Sequence, residues 1–331
     1  MENRPRICII HTGGTFGMSG HPGPLRPDSY SHRITDWIPG LSDIARISLI
    51  APFNIDSSQM EPARWIEIAR AIETAYPKQD GFVVIHGTDS MAYTAAALSF
   101  MLEGLGKPVI LTGSQLPLAE LRTDARGNLV NAVILAGMAI PEVGVCFDNK
   151  LYRGTRIQKQ DIWSYAAFNS PNLDPLAELG LAVKLFDHVM PAREGFRVDT
   201  RIDPRIMVVR IVPGLDPSLL INLLRNGIRG LVLEAFGAGN LPVSHPGFLE
   251  MLREATRRSI PVLIVSQSPR GAVDLKLYEA GQAATTAGVI PGGDMTVECA
   301  AVKLMIALGR YEELQDVRRF LMAPVVGERS V

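Results

Sequence analysis

Two short stretches carry side chains that could do covalent chemistry: "HTGGTFGM" at residues 11 to 18 and "HGTDSM" at residues 86 to 91. Each closes a run of strand-forming residues, "ICIIH" (7 to 11) and "GFVVIHG" (81 to 87), and each sets hydroxyls beside glycine. Gly13 and Gly14 permit φ > 0 or the close approach of another backbone, so their amide N–H groups can face an anion or a developing oxyanion. A phosphate loop would continue into Lys-Ser/Thr, and a dinucleotide loop would read G-x-G-x-x-G. Neither follows, which disfavours a nucleotide site. A Gly-Gly turn flanked by hydroxyls suits acyl chemistry better, because a nucleophile and oxyanion donors must converge on one carbonyl.

Plainer readings stand beside this one. Thr88, Asp89 or Ser90 can equally be the N-cap of a following helix, and "TGGT" by itself reads as a tight turn. His11 and His86, at strand ends, read as satisfied structural histidines, and Arg153, Arg156 and Lys159, spaced by three, read as a solvated charged face. The chain has no G-x-S-x-G elbow, and its six histidines form neither H-x-H nor H-E-x-x-H, so a serine triad and a metal hydrolase are both weakly supported.

The elements that must position these loops alternate. Strand patterns "PVILTG" (108 to 113) and "GVCFD" (144 to 148) follow the first two, and helical patterns over 61 to 76, 90 to 106 and 128 to 140 lie between them. Short, unalternating apolar strands are buried on both faces, and strand-helix alternation predicts a parallel, doubly wound sheet. Residues 189 to 206 lose periodicity and carry prolines and charges, as an interdomain linker does; strands at 206 to 214, 230 to 240 and 261 to 271 follow with helices between and after them. The expectation is a two-domain α/β protein: a larger N-terminal domain over 1–188 that carries the loops, a linker over 189–206, and a smaller C-terminal α/β domain over 207–331.

With 331 residues, 47% of them hydrophobic, the chain can bury two cores at about 150 residues per domain. Its 33 basic and 34 acidic residues leave a formal charge of -1, which gives no footprint for nucleic acid or an acidic membrane surface. The three cysteines, Cys8, Cys146 and Cys299, sit in separate apolar runs without metal spacing. No secretory h-region and no membrane-length apolar run is found, so the expected setting is soluble, reduced and cytoplasmic.

Taken in order, "HTGGTFGM", "FNIDSSQM", "GFVVIHGTDSMAYTAAALSFML", "GKPVILTGSQLPLAELRTDARGNLVNA", "LYRGTRIQK" and "GVIPGGDMTVECAAVKL" resemble the bacterial-type L-asparaginase family, most of all its cytoplasmic type I branch. The resemblance implies a metal-free and cofactor-free amidohydrolase that converts L-asparagine to L-aspartate and ammonia through a threonine acyl-enzyme. It implies Thr15 as nucleophile, with Thr88, Asp89 and Lys159 completing the catalytic set. Asp56, Ser57 and Ser58 match the segment that holds the substrate's charged ends, beside Gly14 and Gly87. It also implies a homo-oligomer, a dimer or tetramer in which a neighbour's second domain lines the site through Asn240. Glutaminase or other β-amide activity, and binding without turnover, are the alternatives.

Two departures bear on these roles. The family's Gly-Tyr after the nucleophile falls on Pro24 and Leu25 here, with Tyr30 a few residues on. The arginine and cysteine of the allosteric site in some type I enzymes align with Glu234 and Ser268; an anion in place of a cation repels a ligand carboxylate, so the allosteric response is expected to be absent.

Overall fold

The computed structural model describes residues 4–19, 26–27 and 38–330, which divide into two compact units, Met1–Thr200 and Arg201–Val331. Pro24, Leu25 and Tyr30 lie outside the described residues. The division falls inside the stretch expected to be a linker. Part of that stretch, Arg197–Val198, pairs antiparallel with Leu102–Glu103 of the first unit, so its irregular sequence includes a short paired strand.

In the first unit the strands are β1 (Arg6–His11), β2 (Arg46–Ile50), β3 (Gly81–Ile85), β4 (Val109–Thr112), β5 (Val143–Phe147), β6 (Lys150–Arg153), β7 (Ala177–Leu179) and β8 (Val183–Leu185). They form one sheet in the order β8-β7-β6-β5-β4-β3-β1-β2. From β2 to β5 every pairing is parallel, while β6, β7 and β8 extend the sheet with antiparallel pairs. The mainly parallel, doubly wound expectation therefore holds, with an antiparallel margin built from short runs that carry no clear periodicity.

Helices α1 (Pro62–Ala75), α2 (Met91–Met101) and α3 (Ala125–Ala136) overlap the predicted positions, α3 starting earlier than the expected 128 to 140 and also ending earlier, at the residue before Gly137. α2 ends earlier than its apolar pattern, because the chain passes into the Leu102–Glu103 strand and then through Gly104 at φ 64°. Ile7, Ile9, Val83, Ile85 and Ile110 pack with Leu129, Ala132 and Val133 of α3 in one core, and the alternate residues Cys8, Ile10, Phe82 and Val84 are equally buried. Both faces of these strands are thus covered, as a parallel sheet requires. β1 lies between β2 and β3, and the connection that leaves β1 runs to β2 on one side while the connection that leaves β3 runs to β4 on the other. That reversal is a topological switch point, which opens a crevice at the carboxyl ends of β1 and β3.

The second unit has a four-stranded parallel sheet in chain order: β9 (Ile206–Arg210), β10 (Gly230–Ala235), β11 (Val262–Ser266) and β12 (Ile290–Pro291). Its helices are α4 (Pro217–Arg225), α5 (Pro246–Arg257), α6 (Glu279–Thr286), α7 (Val297–Arg310) and α8 (Leu314–Met322). Lys303, on α7, is fully buried and pairs with fully buried Glu328. Its Nζ also donates to the carbonyls of Leu321 (3.0 Å) and Ala323 (2.6 Å), while Glu328 accepts from the amides of Val325 and Val326. The pair thereby fastens the last turn of the chain to α7.

Removing one member of a buried ion pair strands the other charge in a dry site. Lys303→Met is expected to lower stability by about 3–5 kcal/mol, and this would be read as a large fall in the denaturant midpoint of the full chain. An unchanged midpoint would show that the tail is not held this way.

Candidate active site

The loops after β1, β2 and β3 meet at the switch point because the sheet places those strands side by side. Thr12 N–H and Thr12 Oγ1–H both donate to Ile85 O, at 3.0 and 2.8 Å, and Ile55 N–H donates to Thr12 O. Gly14 N–H donates to Ile55 O at 3.0 Å. The "TGGT" loop is therefore stitched to both neighbours as well as being a turn.

Gly14 is where the loops after β1 and β3 touch. It sits at φ 83°, and a Cβ built on it would fall 2.4 Å from both Cα and N of Gly87. A Cβ on Gly87 would in turn fall 2.5 Å from Ser57 Oγ and 3.2 Å from Gly14 Cα. Only glycine at 13, 14 and 87 leaves room for the first loop to lie against the backbone of the other two and for the Ser57 side chain to lie against Gly87. Thr15 opens the short 3-10 turn Thr15–Gly17 directly after this contact and is half-buried. Among the described residues, neither Thr15 N–H nor Thr88 N–H has a backbone acceptor.

On the β3 loop the helix-cap reading gives way. Ser90 is the residue that precedes α2, yet its side chain makes no cap bond; its hydroxyl donates to Ser57 O at 2.6 Å. Thr88 and Asp89 face Lys159, whose Nζ lies 2.8 Å from Thr88 Oγ1 and 2.6 Å from Asp89 Oδ1. The reading of Arg153, Arg156 and Lys159 as a solvated row is also corrected. Arg153 ends β6 buried against Glu142, Arg156 is buried in the following turn, and Lys159 has a side chain only 18% exposed. Spacing by three marks one face only in a helix, and this segment is a strand and turns.

Asp56, Ser57 and Ser58 form the third wall. Asp56 accepts from Ser58 N–H at 2.8 Å, and hydrogen bonds from the Ser58 side chain and amide hold its carboxyl below the usual carboxylate range. Ser57 is buried and its Oγ accepts from Asp89 N–H at 3.2 Å, which joins the second and third loops. Asp89 itself presents a side chain 63% exposed toward the open side of this cluster of charge.

His86 is a buried histidine with partners on both ring nitrogens, as expected; burial holds it neutral, with its pKa lowered to about 4. His11 differs. It is buried beside Gly17, its pKa likewise lowered to about 4 by burial, but Nδ1 has no hydrogen-bond partner among the described residues.

Sequence reasoning did not single out Gln115. Its Oε1 lies 3.5 Å from Thr88 Oγ1, its Nε2 donates to Ser164 O, and its amide donates to Asp124. The available signal was its place just after β4, at the same end of the sheet as the other loops. Asn240 lies in the second unit, where Phe236 and Asn240 exchange backbone hydrogen bonds across the loop after β10.

No group of three or more His, Cys, Asp or Glu that could hold a metal ion occurs among the described residues. No helix among them is long and apolar enough to cross a membrane.

Comparison with known proteins agrees along the whole chain. Residues 6–190 match the family model described as asparaginase, N-terminal, and residues 205–321 match that of the glutaminase/asparaginase C-terminal domain. L-asparaginase 1 of Escherichia coli is 40% identical, with 97% of each chain covered. The structure of the thermostable L-asparaginase from Thermococcus kodakarensis superposes with a TM-score of 0.91 at 36% identity, covering 98% of this chain and 99% of that one. That of L-asparaginase I from Vibrio cholerae superposes with a TM-score of 0.91 at 38% identity, covering 99% and 100%. With both domain models matched in order and full-length relatives well above the level at which family is in question, the chain belongs to the asparaginase family.

Proposed function

We propose that this protein hydrolyses L-asparagine to L-aspartate and ammonia, with Thr15 as nucleophile and Thr88, Asp89 and Lys159 as its catalytic partners. The observation that carries the reading is the Lys159–Thr88–Asp89 cluster on a loop whose Gly87 abuts Gly14, the residue before Thr15. Thr15 Oγ attacks the side-chain amide carbon, the C–N bond breaks, and ammonia leaves with the proton that the threonine gave up. Water then adds to the ester and releases aspartate, which restores the hydroxyl.

A threonine hydroxyl is a weak nucleophile until a base takes its proton. The Lys159 ammonium donates to Thr88 Oγ1, which favours the alkoxide form of Thr88, and Asp89 offsets the lysine's charge. The amides of Thr15 and Thr88, which have no backbone acceptor among the described residues, are the fitting donors for the oxyanion. Asp89 and Asp56 suit the substrate's ammonium, while the Ser57 and Ser58 segment supplies donors for its carboxylate. Such pairing is needed because unpaired charges in a closed site cost several kcal/mol. All the proton-transfer groups required belong to the chain, so the reaction as written uses no cofactor. We further assign the protein to the cytoplasm and to a homo-oligomer in which a neighbour's Asn240 lines the site.

Thr15→Ala is expected to cut kcat by about 10,000-fold or more while the chain stays folded, and Lys159→Met by about 100- to 10,000-fold with a small change in KM; both would be measured as ammonia release with asparagine. Gly14→Ala is expected to abolish turnover, since its Cβ would separate the two loops. Full activity in that variant would remove the convergence on which the mechanism depends. Asparagine and glutamine compared side by side decide the substrate: a higher kcat/KM with glutamine would replace the asparaginase reading with a glutaminase one. Velocity against asparagine is expected to be hyperbolic, because Glu234 stands where a carboxylate-binding arginine would be; sigmoidal curves that depend on Ser268 would contradict this.

A further inference from the structure

A chain of polar groups behind the site has no part in the mechanism above. Trp65 Nε1, on α1, lies 3.0 Å from Thr94 Oγ1 on α2; Thr94 Oγ1 lies 2.9 Å from His86 Nε2; and His86 Nδ1 lies 2.6 Å from Gly87 O. Trp65, Thr94 and His86 are all buried, at 5%, 0% and 0% exposure. The direction of every hydrogen in this row follows from elementary valence. A carbonyl oxygen only accepts, so Nδ1 must carry the proton that faces Gly87 O. A neutral imidazole has one N–H, so Nε2 is then an acceptor, and Thr94 must donate to it. Trp65 Nε1 only donates, and Thr94 Oγ1 receives that bond. The row runs one way, Trp65 to Thr94 to His86 to Gly87.

Its end point is the peptide that joins Gly87 to Thr88. Gly87 also bears the contact with Gly14, and the amide of that peptide is Thr88 N–H, which has no backbone acceptor among the described residues. Glycine alone would let this peptide rotate, since Gly87 lacks the Cβ that restricts other residues. A bond from a buried, rigidly oriented donor removes that freedom and polarises the carbonyl, which strengthens the N–H on its other side. The backbone of His86 is itself held: its N–H donates to Thr112 O at 2.8 Å, and a Cβ on Gly113 would fall 2.2 Å from His86 O.

We propose that His86 is a positioning residue for the reaction: as the neutral Nδ1–H tautomer, oriented by Thr94 and Trp65, it locks the Gly87 carbonyl and so aims the Thr88 amide and hydroxyl at the reacting carbon. The proposal rests on the amidohydrolase reading and adds to it a set of residues that never touch substrate.

The test uses the full-length protein with three His86 variants. His86→Asn keeps an N–H near the Nδ1 position, His86→Gln places its amide near Nε2 instead, and His86→Leu keeps neither. His86→Gln and His86→Leu are expected to lose about 100-fold in kcat with KM little changed, whereas His86→Asn loses about tenfold or less. Thr94→Ser is expected to resemble the unaltered protein and Thr94→Val the leucine variant. In the unaltered protein, the nitrogen-15 resonances of His86 are expected to report a protonated Nδ1 and an unprotonated Nε2, a readout that requires neither turnover nor a stable variant.

Wild-type kcat in folded His86→Gln would overturn the proposal, as would an Nε2–H tautomer. Losses in all three variants that match only the lost folded fraction, with asparagine no better served than by chance refolding, would reduce His86 to a packing role and overturn it too. Absence of ammonia release by the unaltered protein from either amide would instead sink the amidohydrolase reading and, with it, this inference.

Discussion

The site depends on one close contact between two pieces of backbone. Gly14 and Gly87 approach so nearly that no side chain fits between them, and each precedes a threonine. The sheet makes this possible because β1 and β3 are adjacent, parallel and in register to their last residues, His11 opposite Ile85. Two loops that leave neighbouring strands at the same end have nowhere to go but alongside each other. What glycine adds is the last few ångströms, the difference between two loops that are near and two loops in backbone contact, which the proposed reaction requires.

Around that contact, polar groups are satisfied in layers. Ser57 joins the second and third loops through its hydroxyl and its carbonyl. Thr88 receives a charged hydrogen bond from Lys159, and Asp89 keeps that ammonium from standing uncompensated. Behind the loop, the row from Trp65 to Gly87 satisfies buried donors that would otherwise be costly, and in doing so it fixes a peptide orientation. The same bonds that lower the cost of burial therefore also preorganise the chemistry.

Much of the fold was legible because its strands obey a simple rule. "ICIIH", "GFVVIHG" and "PVILTG" are apolar without alternation, which fits burial on both faces, and their order with intervening helices gives the parallel sheet. β6, β7 and β8 were not legible, since strands this short carry no period and their antiparallel pairing is set by neighbours distant in sequence. Residues 153, 156 and 159 misled for a related reason: equal spacing implies one face only if the backbone is helical, and local sequence did not say that it was not. Gln115 escaped notice because its relevance lies in its distance from Thr88, which no local pattern encodes.

By itself, the sequence determined the residue types available for chemistry and the strand-loop-helix grammar that puts "TGGT" and "HGTDS" at strand ends; these are local properties of composition and periodicity. Only the tertiary structure decided that the two loops meet, that Lys159 turns inward, that Ser90 binds Ser57 rather than capping its helix, and which nitrogen of His86 bears the proton. The first three are relations between groups tens of residues apart in the chain, and the last depends on Thr94 and on a buried setting that the whole fold supplies. Such relations are set by strand order, burial and the need to pair every buried donor, and they exist only once the sheet has closed around them.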